Sequence, residues 1–213
     1  TNVNDNTPSI TSSATFSAAE NQTAIGTVTT TDADGDTITY SLSGSDASSM
    51  SINASSGVLT FSSAPDYETK SSYSATVTAS DGTDSTSQAI TVSVTDVDDV
   101  APVFTSSATF SAAENQTAIG TVTATDVDTD NSSITFSISG SDLSITSAGV
   151  LTFVSAPDYE TKSSYSATVT ASDGTNSTSQ AITVSVTDVD DVAPVFTSSA
   201  TFSAVENQTA IGT

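Results

Sequence analysis

The sequence predicts an all-β protein made of tandem seven-stranded Greek-key sandwiches, and three observations lead there. Short runs alternate apolar residues with Ser or Thr: Tyr73, Ala75, Val77 and Ala79 do so, as do Ile90, Val92 and Val94. A period of two marks half-buried strands, here expected to pair antiparallel. Turn residues at Gly35, Gly44, Ser56-Gly57 and Asp81-Gly82 break the runs and leave no room for a helix of consequence. The pattern then recurs. "TFSAAENQTAIGTV" begins at Thr15 and Thr109, "TFSAVENQTAIGT" at Thr201, and "APDYETKSSYSATVTASDGT" at Ala64 and Ala156. A unit of about 92–94 residues holding about seven strands fits a sandwich.

Taken in order, residues 1–8 read as a linker, 9–95 as repeat one, 96–102 as an acidic linker and 103–187 as repeat two. Residues 188–194 read as a second linker and 195–213 as the start of a third repeat, so the chain looks like part of a longer array. Ile38, Tyr40 and Leu42, then Leu59 and Phe61, repeat the strand period within repeat one, and Gly57 is expected to close a tight turn before Leu59. Phe16, Tyr40, Phe61 and Tyr67 read as core. Pro8, Pro102 and Pro194 each follow a linker, where a fixed φ stiffens the junction.

Charge narrows the function. The chain has 25 acidic residues, two basic ones (Lys70 and Lys162) and no His or Cys, for a net charge of −23. Nucleic acid and anionic lipid would be repelled, which excludes both as partners. With 13% charged and 35% apolar residues this is not a disordered acidic tail. No apolar run approaches a membrane span, no signal-peptide pattern opens the chain, and disulfides hold nothing together.

The acids are not scattered. In repeat one they fall at Glu20, Asp32/Asp34, Asp66/Glu68, Asp81 and the linker triplet Asp96, Asp98 and Asp99. The middle of the unit varies, "TDADGD" against "TDVDTD", yet the Asp-x-Asp spacing stays (Asp32/Asp34, Asp126/Asp128). All of these lie at strand ends or in loops, which a sandwich gathers at its two poles. Counting strands by parity puts Glu20, Asp66 and Glu68 at the pole facing the following linker. Asp32, Asp34 and Asp81 go to the opposite pole. At the junction of repeats one and two the convergent set is Glu20, Asp66, Glu68, Asp96, Asp98, Asp99, Asp126, Asp128 and Asp173. Two lysines cannot pair so many carboxylates, and close like charges oppose compaction unless a cation is present. Ca²⁺ takes six to eight oxygens and suits carboxylates with carbonyls. Zn²⁺ asks for His or Cys, and Mg²⁺ for fewer carboxylates and more water.

"AAEN", "DAD"/"DVD", "PDYE", "ASDG" and "DVDDVAPVF", in this order and spacing, resemble a cadherin repeat, an Ig-like sandwich, over essentially the whole chain. The resemblance implies three Ca²⁺ between successive domains. It assigns Glu20, Asp66, Glu68 and Asp99 to the outermost ion. Glu20, Glu68, Asp96, the Val97 carbonyl, Asp99 and Asp128 would hold the second. Asp98, the Val100 carbonyl, Asp126, Asp128 and Asp173 would hold the third. Ahead of repeat one, Asn4, the Asn6 carbonyl, Asp32, Asp34 and Asp81 would form one innermost site. At the second junction Glu114, Asp158, Glu160, Asp188, Asp190 and Asp191 are present and imply one site at most. There are departures from the family pattern: Asp98 and Val100 stand where Asn is usual, and "NVNDN" begins with Asn2 instead of Asp.

Other readings fit less well. "DADGD" looks like an EF-hand loop, but Thr37 and Ser43 stand where the loop's Gly and Glu belong. The sequons at Asn21, Asn115 and Asn207 are expected by chance in so Ser/Thr-rich a chain. An enzyme would have to run on carboxylate pairs, as glycosidases do, yet the clustered acids already have ligand roles. A carbohydrate-binding module remains the alternative, although 6% aromatic residues is few for sugar stacking. The repeats resemble extender regions of large bacterial surface adhesins: extracellular, Ca²⁺-stiffened spacers whose partners are adjacent repeats of the same chain and other cell-surface proteins or carbohydrate. Strand exchange anchored by Trp is ruled out, since the chain has no Trp. The third stretch, with apolar Phe196, Phe202 and Ile211 uncovered, is expected to fray or to add to an edge of another chain.

Overall fold

The computed structural model describes residues 4–128, 133–198, 200–207 and 209; Asn2 and Ile211, named above, lie outside them. Repeat one runs β1 (Ser9–Ile10), β2 (Thr15–Ala19), β3 (Ala24–Thr27), β4 (Thr30–Thr31), β5 (Thr39–Ser43), β6 (Met50–Ile52), β7 (Val58–Phe61), β8 (Ser72–Ser80) and β9 (Ser85–Thr95). Seven of these build the sandwich, as sheets ordered β2-β9-β8-β5 and β3-β7-β6, while β1 and β4 form a short extra pair. Repeat two repeats the plan with β10 (Val103–Phe104), β11 (Thr109–Ala113), β12 (Ala118–Thr121), β13 (Ala124–Thr125), β14 (Thr135–Ile138), β15 (Leu143–Ile145), β16 (Val150–Phe153), β17 (Ser164–Ser172) and β18 (Ser177–Thr187).

The apolar half of each alternation is the core. Ala75, Val77 and Ala79 of β8 face inward with Ile90, Val92 and Val94 of β9, against Leu59 and Phe61 of β7. Ser and Thr take the outer face. Phe16, Tyr40 and Tyr67 pack against this core partly buried. Gly57, at φ 68, is required twice over. The left-handed backbone favours Gly, and a Cβ there would lie 2.3 Å from the Val28 carbonyl oxygen. Repeat two keeps the device at Gly149, where the same approach to Val122 is 2.2 Å. Repeat one carries a 3₁₀ turn at Ala47–Ser49 between β5 and β6; in repeat two the chain passes from Asp142 straight into β15.

One pairing departs from expectation: β2 runs parallel to β9, with Ala19 beside Thr95, and β11 runs parallel to β18. The other pairs are antiparallel. The reason is the array itself. Each repeat is entered at one pole and left at the other, so first and last strands run the same way and can only pair in parallel. That register sets the end of the first strand next to the start of the following linker.

Residues 195–207 form no strand among those described. Val195 and Phe196 are 83% and 94% exposed, where the equivalent Phe104 packs against a core.

Candidate metal centre

The end of β2 delivers Glu20, which is 3% exposed although it is a carboxylate. Its two oxygens accept backbone N–H groups from Tyr67 and Val97, each at 2.7 Å. One side chain thus joins the first strand, the "PDYE" loop and the linker. Glu114 does the same in repeat two, taking Tyr159 N–H at 2.8 Å and Val189 N–H at 2.7 Å. Glu20, Glu68 and Asp96 present oxygens within 4.8 Å of one another. Asp66 stands outside that trio and uses both oxygens on Thr69 of its own turn. At the second junction the trio is Glu114, Glu160 and Asp158, the counterpart of Asp66, while Asp188, the counterpart of Asp96, lies with Asp190 and Asp191 on the exposed linker.

The other half of the first junction comes from repeat two. Asp128 Oδ2 accepts the backbone N–H groups of Asp99 (2.8 Å) and Val100 (2.7 Å). Asp98 Oδ2 accepts the Thr175 hydroxyl at 2.8 Å, and the Asn176 amide donates to the Asp98 carbonyl at 3.3 Å. Asp173 Oδ1 accepts the N–H groups of Thr175 and Asn176, both at 2.6 Å. Asp126 Oδ1 accepts the Asp128 N–H at 3.2 Å. Each of Asp98, Asp128 and Asp173 therefore has one oxygen held by protein. The remaining oxygen of each is buried and has no hydrogen-bond partner.

The same division appears ahead of repeat one. Asp34 accepts the N–H groups of Asp5 and Asn6, and Asp32 those of Asp34 and Gly35. Asp81 accepts those of Thr83 and Asp84. Asn4 Oδ1, Asp32 Oδ2 and Asp81 Oδ2 are left buried without partners, and so is Asp36 Oδ2. Asp36 was missed in the sequence because it sits in the stretch dismissed as an imperfect EF-hand, yet its carboxylate lies within 4.8 Å of those of Asp32 and Asp34. Thr175, Asn176, Asn21 and Asn115 were also missed as linker contacts. Nothing short of the fold reveals them, since the contacts of Thr175, Asn176 and Asn21 with the first linker span 77–78 residues.

Neither lysine serves a junction. Lys70 pairs with Asp46 over the Tyr73 ring, and Lys162 with Asp142 over the Tyr165 ring. Buried oxygens that protein does not satisfy are costly, and the donors are all carboxylate, amide or carbonyl oxygen. That set fits Ca²⁺ and offers Zn²⁺ none of its preferred ligands.

The strain is legible in the proton affinities. Loss of water raises Asp96, and Glu20, Asp128, Asp99 and Asp98 raise it further. Glu68 is drawn down by its own backbone N–H, but burial with Glu20, Asp96 and Asp66 outweighs that and lifts it above its ordinary value. Glu160 is raised in the same way. In Asp128 burial acts upward, but hydrogen bonds from Asp126, Val100 and Asp99 prevail and lower it. Asp34 and Asp81 are lowered chiefly by the backbone N–H groups of Asn6 and Asp84. A carboxyl raised on folding binds more protons folded than unfolded, so it stabilises as pH falls toward its folded value. A lowered one stabilises above its unfolded value and loses that as pH falls through the folded one. In EDTA the melting temperature is therefore expected to rise as pH falls from 7 toward the carboxylate range and to fall again once pH drops below the ordinary carboxylate values. Saturating Ca²⁺ should abolish the rise. Melts across pH at fixed ionic strength check this; a steady fall from pH 7 downward in EDTA would contradict it.

A family model described as the Cadherin domain matches residues 13–95 and 108–187. Protocadherin Fat 4 of Mus musculus is 36% identical across 86% of this chain and 4% of its own length. Protocadherin-15 of Homo sapiens is 33% identical across 86% of this chain and 10% of its own. The chain thus spans a small fraction of either relative. Among solved structures, mouse Cadherin-23 EC22-24 has a TM-score of 0.71 at 28% identity, covering 88% of this chain and 66% of that one. Human Protocadherin-24 EC1-2 reaches a TM-score of 0.75 at 22% identity over 88% of this chain and 100% of that one, a likeness of fold alone. These relatives are animal proteins and lend nothing to the bacterial-adhesin resemblance.

Proposed function

This chain belongs to the cadherin family, and we propose that its repeats are a calcium-stiffened spacer of an extracellular, cell-surface or secreted adhesin, supporting calcium-dependent cell adhesion. The observation that carries this is the set of buried, unpartnered oxygens on Asp98, Asp128 and Asp173, contributed by the linker and repeat two at one joint. Glu20, Asp66, Glu68 and Asp99 would serve an outer ion. Glu20, Glu68, Asp96, Val97, Asp99 and Asp128 would serve a middle one, and Asp98, Val100, Asp126, Asp128 and Asp173 an inner one. Asn4, Asn6, Asp32, Asp34 and Asp81, joined by Asp36, would serve the site ahead of repeat one. Bound calcium would supply the positive charge these carboxylates lack. The protein's own part is to hold each oxygen from a different element, so that the joint bends only by breaking ligand geometry. The hydrogen bonds of Glu20, Asp99 and Asp128, which tie the linker to both repeats, support that reading.

Carbohydrate binding is the weaker reading. A cleft of about 390 Å³ in repeat two is lined by Asp142, Lys162 and Tyr165. Lys162 lies 4.2 Å over the Tyr165 ring, on a face that a sugar would need for stacking.

Small-angle scattering in EDTA, then across a Ca²⁺ titration, tests the spacer. The distance distribution is expected to narrow toward that of a rod, with a midpoint of about 10⁻⁴–10⁻³ M. A distribution that does not change from EDTA to millimolar Ca²⁺ would leave the fold standing and remove the function.

A further inference from the structure

Asn21 and Asn115 follow the buried glutamates at φ 61 and 62; with Asn207 at φ 67 they are the only non-glycine residues of positive φ among those described. A turn that needs a left-handed residue is served most readily by Gly, and seven of the described glycines adopt that backbone elsewhere. Asn tolerates the conformation and adds a side chain. That side chain is in use. Asn21 Nδ2 donates to Asp99 Oδ2 at 2.5 Å, and Asn115 Nδ2 donates to Asp191 Oδ2 at 2.6 Å. The backbone N–H of the same residues donates to the carbonyls of Pro65 and Pro157, each at 3.0 Å. One residue therefore fastens the "PDYE" loop through its backbone and the third linker aspartate through its amide.

We propose that Asn21 and Asn115 are linker-positioning residues: a left-handed asparagine whose amide fixes the third linker carboxylate before any ion arrives. The inference rests on the calcium reading of the junction for its consequence, but not for its geometry. At the first junction the contact continues into repeat two, because the Asp99 N–H donates to Asp128 Oδ2 at 2.8 Å. At the second junction Asn115 holds Asp191 in the same way, again between a repeat and its outgoing linker. The latch is thus a property of a repeat and its own outgoing linker. The left-handed backbone aims the amide, and the amide sets the rotation of a carboxylate that would otherwise turn freely on an exposed segment. A linker set in this way loses less freedom when it binds an ion, which tightens binding without adding a ligand.

The test uses the whole chain with Asn21→Gly, Asp99→Ala and the double variant. Glycine keeps the left-handed backbone and removes only the amide. Two readouts are taken: amide hydrogen exchange in EDTA, and a residue-resolved NMR titration with Ca²⁺. Asn21→Gly is expected to melt near wild type in EDTA while the Asp99 N–H exchanges about 10-fold faster. The Ca²⁺ midpoint reported by Asp126, Asp128 and Asp173 should weaken by about 3–10-fold, and that at Asp32, Asp34 and Asp81 should stay put. In the Asp99→Ala background the Asn21→Gly change should do nothing further, which a purely structural role would not predict. Wild-type exchange and midpoint in Asn21→Gly, or an undiminished effect without Asp99, overturns the proposal. If wild type binds no Ca²⁺, the calcium reading fails by itself and exchange in EDTA still decides the latch. If Asn21→Gly does not fold, Asn115→Gly replaces it, read by the NMR shift of the Asp191 carboxyl in EDTA: a shift that moves away from the wild-type value is expected, and one that stays at it overturns the proposal.

Discussion

Millimolar Ca²⁺ added to the metal-free protein is expected to raise its melting temperature by roughly 10–20 °C. Free Ca²⁺ at about ten times its Kd stabilises by about 1.4 kcal/mol per ion, and the three ions proposed for the first junction together give about 4 kcal/mol. For a chain of this size each kcal/mol moves the midpoint by about 2–4 °C, and by about 4–8 °C if a repeat melts as its own unit. Screening alone would also ease carboxylate repulsion, so the comparison is with KCl at matched ionic strength. Mg²⁺ at the same concentration should fall well short, since it prefers water and few carboxylates. An equal rise in KCl would mean that the acids need only screening.

Glu20→Ala should give the largest single-residue effect. The change leaves the N–H groups of Tyr67 and Val97 without their acceptor, and each such charge-assisted bond contributes about 1.5–3 kcal/mol. It also removes one buried charge from beside the exposed Glu68 and Asp96, which returns about 1 kcal/mol. The net loss in EDTA is therefore about 2–5 kcal/mol. In Ca²⁺ the deficit should widen, because Glu20 belongs to two of the proposed ligand sets. Urea melts with and without Ca²⁺ measure both. Glu114→Ala is the control, since it leaves the first junction whole. A Glu20→Ala deficit that is the same in EDTA and in Ca²⁺ would reduce Glu20 to a structural acceptor.

Much of the fold was legible because strand burial writes itself into a period of two. Val77 and Val92 announce their facing, and Gly57 announces its turn. The two poles were legible as well, since parity of strand count carries Glu20 and Asp34 to opposite ends. The parallel pairing of β2 with β9 was not. Pair direction follows from how the chain threads the array, and no residue of "TFSAA" records it. Asp36 was hidden by proximity: three carboxylates in five residues look like a solvated loop until the backbone curls them together. Asn21 was hidden by distance, because a sequon is visible in three residues while its partner Asp99 lies 78 residues away.

The parallel first-and-last pairing also decides how a repeat meets mechanical tension. A pull along the array draws β2 toward the preceding junction and β9 toward the following one. The two adjacent strands are therefore sheared past each other along their length. The register from Thr15 opposite Thr91 to Ala19 opposite Thr95 must give way together instead of unzipping from one end. Past the short β1–β4 pair, the chain from the entering linker thus lies against the strand joined to the leaving one, and the five-residue β2–β9 seam stands in the path of force across the repeat.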